Sequence, residues 1–248
     1  MSAVLYLSVL CLACTVQSAF GFGLALVALP LLSATTPLTV LVPTLALVSM
    51  TIGAGVAWRT REDVQVPLLR ALVLSAGLGV PLGVLFLTHV NPHTARLTLG
   101  LVVIAASLFS LHANLARVDT RIENGAGRTG RLPAWPFGLA AGALGGAFNA
   151  MGPPIVLYLR CSGLAPERFR ATLHAFAFLA NAAIVVAYGI GRALSEEVAT
   201  AYALALIPLA AGTWLGTRIA ARLDPSRYRT VVDLLLLGLG TALVIEVG

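Results

Sequence analysis

The sequence predicts an all-α polytopic membrane protein of two inverted repeats, each a broken or re-entrant helical hairpin followed by three transmembrane helices. Three observations lead to this class. The 248 residues are 58% hydrophobic and only 10% charged, and apolar runs of about 20 residues, long enough to cross hydrocarbon as helices, follow one another with short polar breaks. Two runs are interrupted by small and helix-breaking residues, at Phe20-Gly21-Phe22-Gly23 ahead of Pro30 and from Gly145 to Pro154. The arginines, finally, segregate to one side only if the second interrupted run turns back on itself.

In chain order the apolar runs lie near 2–20, 24–33, 38–58, 66–88, 97–113, 135–150, 154–160, 171–190, 198–217 and 230–247. At about 1.5 Å of rise per residue, 24–33 and 154–160 reach roughly half the bilayer or less. Each is therefore the return arm of a hairpin or the far half of a broken helix. Charge decides between them. All sixteen basic residues are arginine. A single crossing over 135–160 divides them eight and eight, whereas a returning hairpin divides them fourteen to two, with only Arg96 and Arg192 opposite. Positive residues collect in cytoplasmic loops, so the hairpin is preferred and the linker 114–134 is cytoplasmic.

The same assignment exposes the repeat. Gly79-Val80-Pro81-Leu82-Gly83, Asn91-Pro92 and Arg96 align at one spacing with Gly212-Thr213-Trp214-Leu215-Gly216, Asp224-Pro225 and Arg229, and Pro43-Thr44 falls opposite Ala171-Thr172. A hairpin plus three crossings turns the second copy upside down. Residues 1–113 thus form the first repeat and 135–248 the second, inverted one. Corresponding loops carry opposite charge: Arg59-Thr60-Arg61 matches Ser195-Glu196-Glu197. Paired breaks in corresponding halves point to the substrate site of a secondary transporter.

Several classes are excluded. The loops are too short to build the basic soluble face that nucleic-acid binding requires. Cys11, Cys14 and Cys161 make no disulfide framework, and Cys11-Leu12-Ala13-Cys14 lies in an apolar run without a second ligand pair, so no metal or other cofactor is expected. No basic residue precedes the first apolar run, which argues against a cleaved signal peptide. The spans offer neither nucleophile nor paired carboxylates for a membrane enzyme. Asp233 and Glu246 fall near the ends of the last run.

The motifs GFGxxLxxxPLL from Gly21 and GxxGGxFxxxGPPIVLYL from Gly142, with the arginine and threonine-bearing helix that follows, resemble the TauE/SafE family, also called the toluene sulfonate uptake permeases. The likeness runs through both halves. It implies a permease of the bacterial inner membrane for small sulfur-containing anions such as sulfite or organosulfonates. An anion channel of the same architecture, or a carrier for another small organic anion, is the alternative.

An oxyanion at midplane needs donors and positive potential, because a buried charge without partners is prohibitively costly. Broken helices offer free N–H groups and the positive end of the helix dipole. In the second half the anion is expected beside Met151, Gly152 and Pro153, with Asn149 as a side-chain donor; in the first, Gln17, Ser18, Gly21 and Gly23 occupy the corresponding depth. Thr172, His174 and Asn181 are the polar residues of the following helix, and His174 and Asn181, seven apart, share a face. Thr44 and Ser49 are the equivalents in the first half. Each has a structural competitor: hydroxyls bond back to the preceding turn, and a membrane histidine or asparagine can simply join two helices. His174 is the one buried group able to titrate near neutral pH, so protons are a candidate coupling ion.

Overall fold

The computed structural model describes residues 3–115 and 133–220, together with residues 237, 238, 241 and 245. The crossing expected at 230–247 lies almost wholly outside the described residues, as do Asp224, Pro225, Arg229, Asp233, Glu246 and most of the 114–134 linker. What is described is helical, with no strand. The helices are α1 Ala3–Phe20, α2 Leu24–Leu32, α3 Leu38–Arg59, α4 Val66–His89, α5 Pro92–Leu115, α6 Ala134–Phe148, α7 Gly152–Cys161, α8 Pro166–Ile190 and α9 Glu196–Ala220, with a single 3-10 turn at Arg61–Asp63. Among the described residues four helices, α3, α4, α8 and α9, are long and apolar enough to cross a membrane.

Helices α5 and α8 begin about five residues before the apolar runs that announced them, because their first turns are polar and carry no apolar signal. Pro92 and Pro166 open them, where a missing N–H costs nothing. Asn91 Oδ1 accepts the Thr94 N–H at 2.7 Å, an N-cap bond for α5. Ser195 Oγ accepts the Val198 N–H at 3.4 Å at the start of α9.

The crossings are apolar all round, as expected where lipid is the solvent. On α4 the inward face carries Leu72, Ala76, Gly79, Val80 and Gly83, while Leu74, Leu78, Leu82 and Leu85 are exposed toward lipid. With no hydrophobic drive between helices in hydrocarbon, association depends on close packing of small residues. Helices α4 and α6 run parallel and touch backbone to backbone: a Cβ on Gly79 or Gly83 would strike the Leu139 or Ala143 carbonyl, and one on Gly142 or Gly146 the Ala76 or Val80 carbonyl. Helices α1 and α9 meet in the same way, with Gly212 against the Cys11 carbonyl and Gly216 against that of Thr15. Buried Cys14 is one of the small residues in that seam.

Packings pair across the halves. As α4 lies on α6, so α1 lies on α9; as α8 lies on α4, so α3 lies on α9; and α3 and α8 pack on each other at the centre. Both broken segments fold back. The Phe137 ring near the start of α6 lies 5.3 Å from the Tyr158 ring near the end of α7. Tyr6 near the start of α1 shares a surface pocket with Thr35 and Thr36, which follow α2, and with Glu196 and Glu197 at the start of α9. Arg96 at the start of α5 donates to the Ser33 carbonyl at 2.7 Å, fixing the outer end of the first hairpin. At the opposite end of the bundle, the backbone N–H of Gln65 donates to Thr172 Oγ1 of α8 at 3.0 Å. The start of α6 lies there too, with Gly138 against Leu72.

The glycine seams set a prediction. Gly146→Val drives a side chain into the α4 backbone, and overpacking of this kind costs about 1–3 kcal/mol, so its thermal midpoint in detergent should fall. Gly77, with nothing within 4 Å of an added Cβ, should accept alanine with a gain of roughly 0.5–1 kcal/mol. Equal behaviour of the two variants would argue against backbone contact between α4 and α6.

Candidate functional site

The two hairpin tips are built on the same backbone plan from different residues. Gly21 and Asn149 both adopt left-handed backbone, with φ of 83° and 53°. The Gly21 N–H donates to the Gln17 carbonyl and the Asn149 N–H to the Gly145 carbonyl, each at 2.7 Å. The Asn149 bond back to Gly145 is the αL type of helix end, and a further bond from the Ala150 N–H to the Leu144 carbonyl at 3.2 Å closes the turn. Asparagine is tolerated there because its short polar side chain eases the left-handed conformation.

After each turn a short helix starts inside the protein. Gly23, at φ 108°, precedes α2 and has no side chain with which to cap it. Gln17 reaches across from α1 instead, and its Oε1 accepts the Leu24 N–H at 3.2 Å. In α7, Pro153 and Pro154 follow Gly152 at the helix start, where their missing N–H groups would have lacked helical partners in any case. The tips then meet: the Phe22 side chain lies over Gly152, whose Cα could carry no Cβ without coming 2.8 Å from that ring.

Between the tips lies a cavity of about 20 Å³, room for roughly one water molecule. Its polar lining is Gln17, Ser49, Asn149 and Asn181, all buried, and its walls include Phe22, Leu26, Ile155, Leu173 and Phe176. Ser49 Oγ donates to Asn149 Oδ1 at 3.4 Å. Asn149 Nδ2 donates to Asn181 Oδ1 at 2.7 Å, and Asn181 Nδ2 donates to the Ala177 carbonyl at 2.7 Å. This directional chain links α3, the second hairpin and α8. Gln17 stands outside this chain, its Oε1 bonded to the Leu24 N–H. An amide NH₂ has two donors and its oxygen two lone pairs; the bonds above engage one N–H each of Asn149 and Asn181 and neither N–H of Gln17.

Of the residues expected at the site, Gln17, Gly21, Gly23, Ser49, Asn149, Met151, Gly152 and Asn181 line this cavity. The other five lie elsewhere. Thr44 bonds back to the Val40 carbonyl at 2.8 Å, and Thr172 is occupied by the Gln65 N–H. Ser18 packs against Gly216 of α9. Pro153 turns outward into an apolar groove against Val102, Ala105 and Ala106 of α5. His174 stands behind the first tip, its Nε2 facing Gly21 and its buried Nδ1 without a partner. It shares a helix face with Asn181 but sits about 10 Å further along the axis.

The apolar walls escaped sequence reasoning. Phe176 and Ala177 follow from helical spacing once Asn181 is fixed as cavity-facing; Phe22, inside a conspicuous glycine pair, carried a signal that went unused.

A family model described as sulfite exporter TauE/SafE matches residues 6–243, spanning both hairpins and every helix described above. No curated protein and no solved structure matches the chain.

The second tip can be tested by its backbone. Asn149→Gly keeps access to the left-handed turn and loses the carboxamide, whereas Asn149→Ala loses both. Left-handed backbone costs a residue with a β-carbon roughly 1–2 kcal/mol, so Asn149→Ala should unfold at the lower temperature. An alanine variant as stable as the glycine variant would contradict the turn.

Proposed function

Because the chain belongs to the TauE/SafE sulfite exporter family, a family of membrane transporters, we propose that it is a permease of the bacterial inner membrane. Its cargo is a small sulfur-containing oxyanion, sulfite or an organosulfonate, held between the two hairpin tips. The observation that carries this reading is the donor-bearing lining of the cavity: each carboxamide oxygen already accepts a bond within the protein, while four amide N–H groups, two on Gln17 and one each on Asn149 and Asn181, are engaged in none of these bonds. The sulfur-bound oxygens of an oxyanion accept hydrogen bonds, so it matches such a lining better than a cation does. The start of α2 adds the positive end of a helix dipole at the same point.

The pairing of helix contacts between halves supports two inverted repeats, with hairpins entering from opposite ends of the bundle. A cavity of about 20 Å³ is too small for any sulfur oxyanion. The conformation described is therefore closed, and cargo enters when one tip withdraws from the midplane site.

Orientation follows from charge. Arg59, Arg61, Arg70, Arg160, Arg168, Arg170 and Arg218 belong to one end of the bundle, Arg96 and Arg192 to the other. The arginine-rich end is assigned to the cytoplasm. Exposed Trp58, Trp135 and Trp214 lie toward the same end, and Arg61 and Arg218 stack over Trp58 and Trp214 at 5.0 and 3.8 Å. This is the combination that anchors a helix at the headgroup layer.

Proteoliposomes should accumulate sulfite or a small sulfonate saturably. A hydrogen bond to a charged group is worth about 1.5–3 kcal/mol, so Gln17→Leu and Asn181→Leu should each raise the half-saturating concentration at least about tenfold. Flux of none of these anions through the unaltered protein would end the reading; unchanged affinity in both variants would move the site elsewhere. For topology, in a background lacking the three native cysteines, Glu167→Cys should react with an impermeant maleimide only from the cytoplasmic side and Glu196→Cys only from the opposite one. Labelling of both from one side would overturn the inverted arrangement.

A further inference from the structure

The lining of the cavity also bears on the charge of its cargo. Among the described residues no arginine, aspartate or glutamate lines it, and His174 stands behind Gly21, outside the lining. Neutral donors must therefore compensate the guest, and they are few. Pro153 and Pro154 have no N–H to offer at the start of α7. The first N–H of α2 is committed to Gln17 Oε1, and one N–H of Asn149 and one of Asn181 are engaged in the polar chain. Two N–H of Gln17 and one each of Asn149 and Asn181 remain; apart from Ser49, whose hydroxyl is bonded to Asn149, the other side chains of the lining are apolar.

The cost of withdrawing an ion from water grows with the square of its charge, so a dianion requires roughly four times the compensation of a monoanion of the same size. Resting on the reading above, we infer that the transported species is singly charged: hydrogensulfite or a sulfonate. Sulfate, thiosulfate and the sulfite dianion are rejected although each carries the same sulfur–oxygen acceptors. Phe22, Phe176, Leu26 and Leu173 provide an apolar side against which the organic substituent of a sulfonate can lie.

The test is thermal stabilisation of the purified full-length chain, which reports binding through linkage. The probes are methanesulfonate and isethionate as monoanions, sulfate and thiosulfate as dianions, and sulfite titrated through the ionisation of hydrogensulfite. Methanesulfonate and isethionate should stabilise at every pH in that range, and sulfate and thiosulfate should not. The apparent affinity for sulfite should fall about tenfold per pH unit above that ionisation, in proportion to the competent fraction of the ligand. The flat response to the sulfonates separates this from titration of the protein. Binding of sulfate or thiosulfate as tightly as methanesulfonate, or sulfite affinity that holds steady through its ionisation, would overturn the inference and leave the sulfur-oxyanion reading intact. Stabilisation by none of the five would sink both.

Discussion

A backbone N–H or C=O left unpaired in hydrocarbon costs several kcal/mol, and this requirement governs how two broken segments can exist at bilayer depth. Each break exposes the last carbonyls of one helix and the first amides of the next. The chain hides them between the two tips, where α3 and α8 pack around them and lipid is kept away. Some are then satisfied internally, by the bonds that the Asn149 and Ala150 amides make back to α6 and by Gln17 at the start of α2. Proline removes others from α7 altogether.

The same economy explains why single residues serve two roles. Asn149 is the left-handed residue that ends α6, and its carboxamide joins the polar chain between Ser49 and Asn181. Gln17 accepts a helix bond through its carbonyl and again through its side chain, with the Gly21 and Leu24 amides as donors. Support for the tips therefore falls on the same side chains as the proposed recognition of a guest.

Much of this was legible in the sequence because hydrocarbon leaves few options. Glycine and proline inside apolar runs marked both breaks, and polar residues at Gln17, Ser49, Asn149 and Asn181 stood out against their surroundings. The correspondence of Gly79 and Gly83 with Gly212 and Gly216 pointed to equivalent helices, and both pairs sit against a neighbouring backbone. Depth and distant partners were harder to read. Helical periodicity gives the angle of His174 but not its height, so it seemed to accompany Asn181 when it lies behind Gly21. Thr172 looked available because its partner, the Gln65 amide, is remote in sequence. Pro153 belongs to a tip, yet the turn at Asn149 directs it toward α5. Nor could residue identity reveal that Gly21 and Asn149 share one backbone conformation.

The glycine seams join α1 to α9 and α4 to α6, so each contact couples an outer hairpin arm of one sequence half to a crossing of the other. Where two backbones touch through carbonyls, sliding one past the other requires lifting it over the next residue, and the pair behaves as a single strut. The mechanical parts of the molecule are thus not its two sequence halves. They are two exchanged struts, each carrying one tip, braced against the α3 and α8 pair. Any force that tilts α9 in the bilayer is delivered directly to Gly21, and any that tilts α4 is delivered to Asn149.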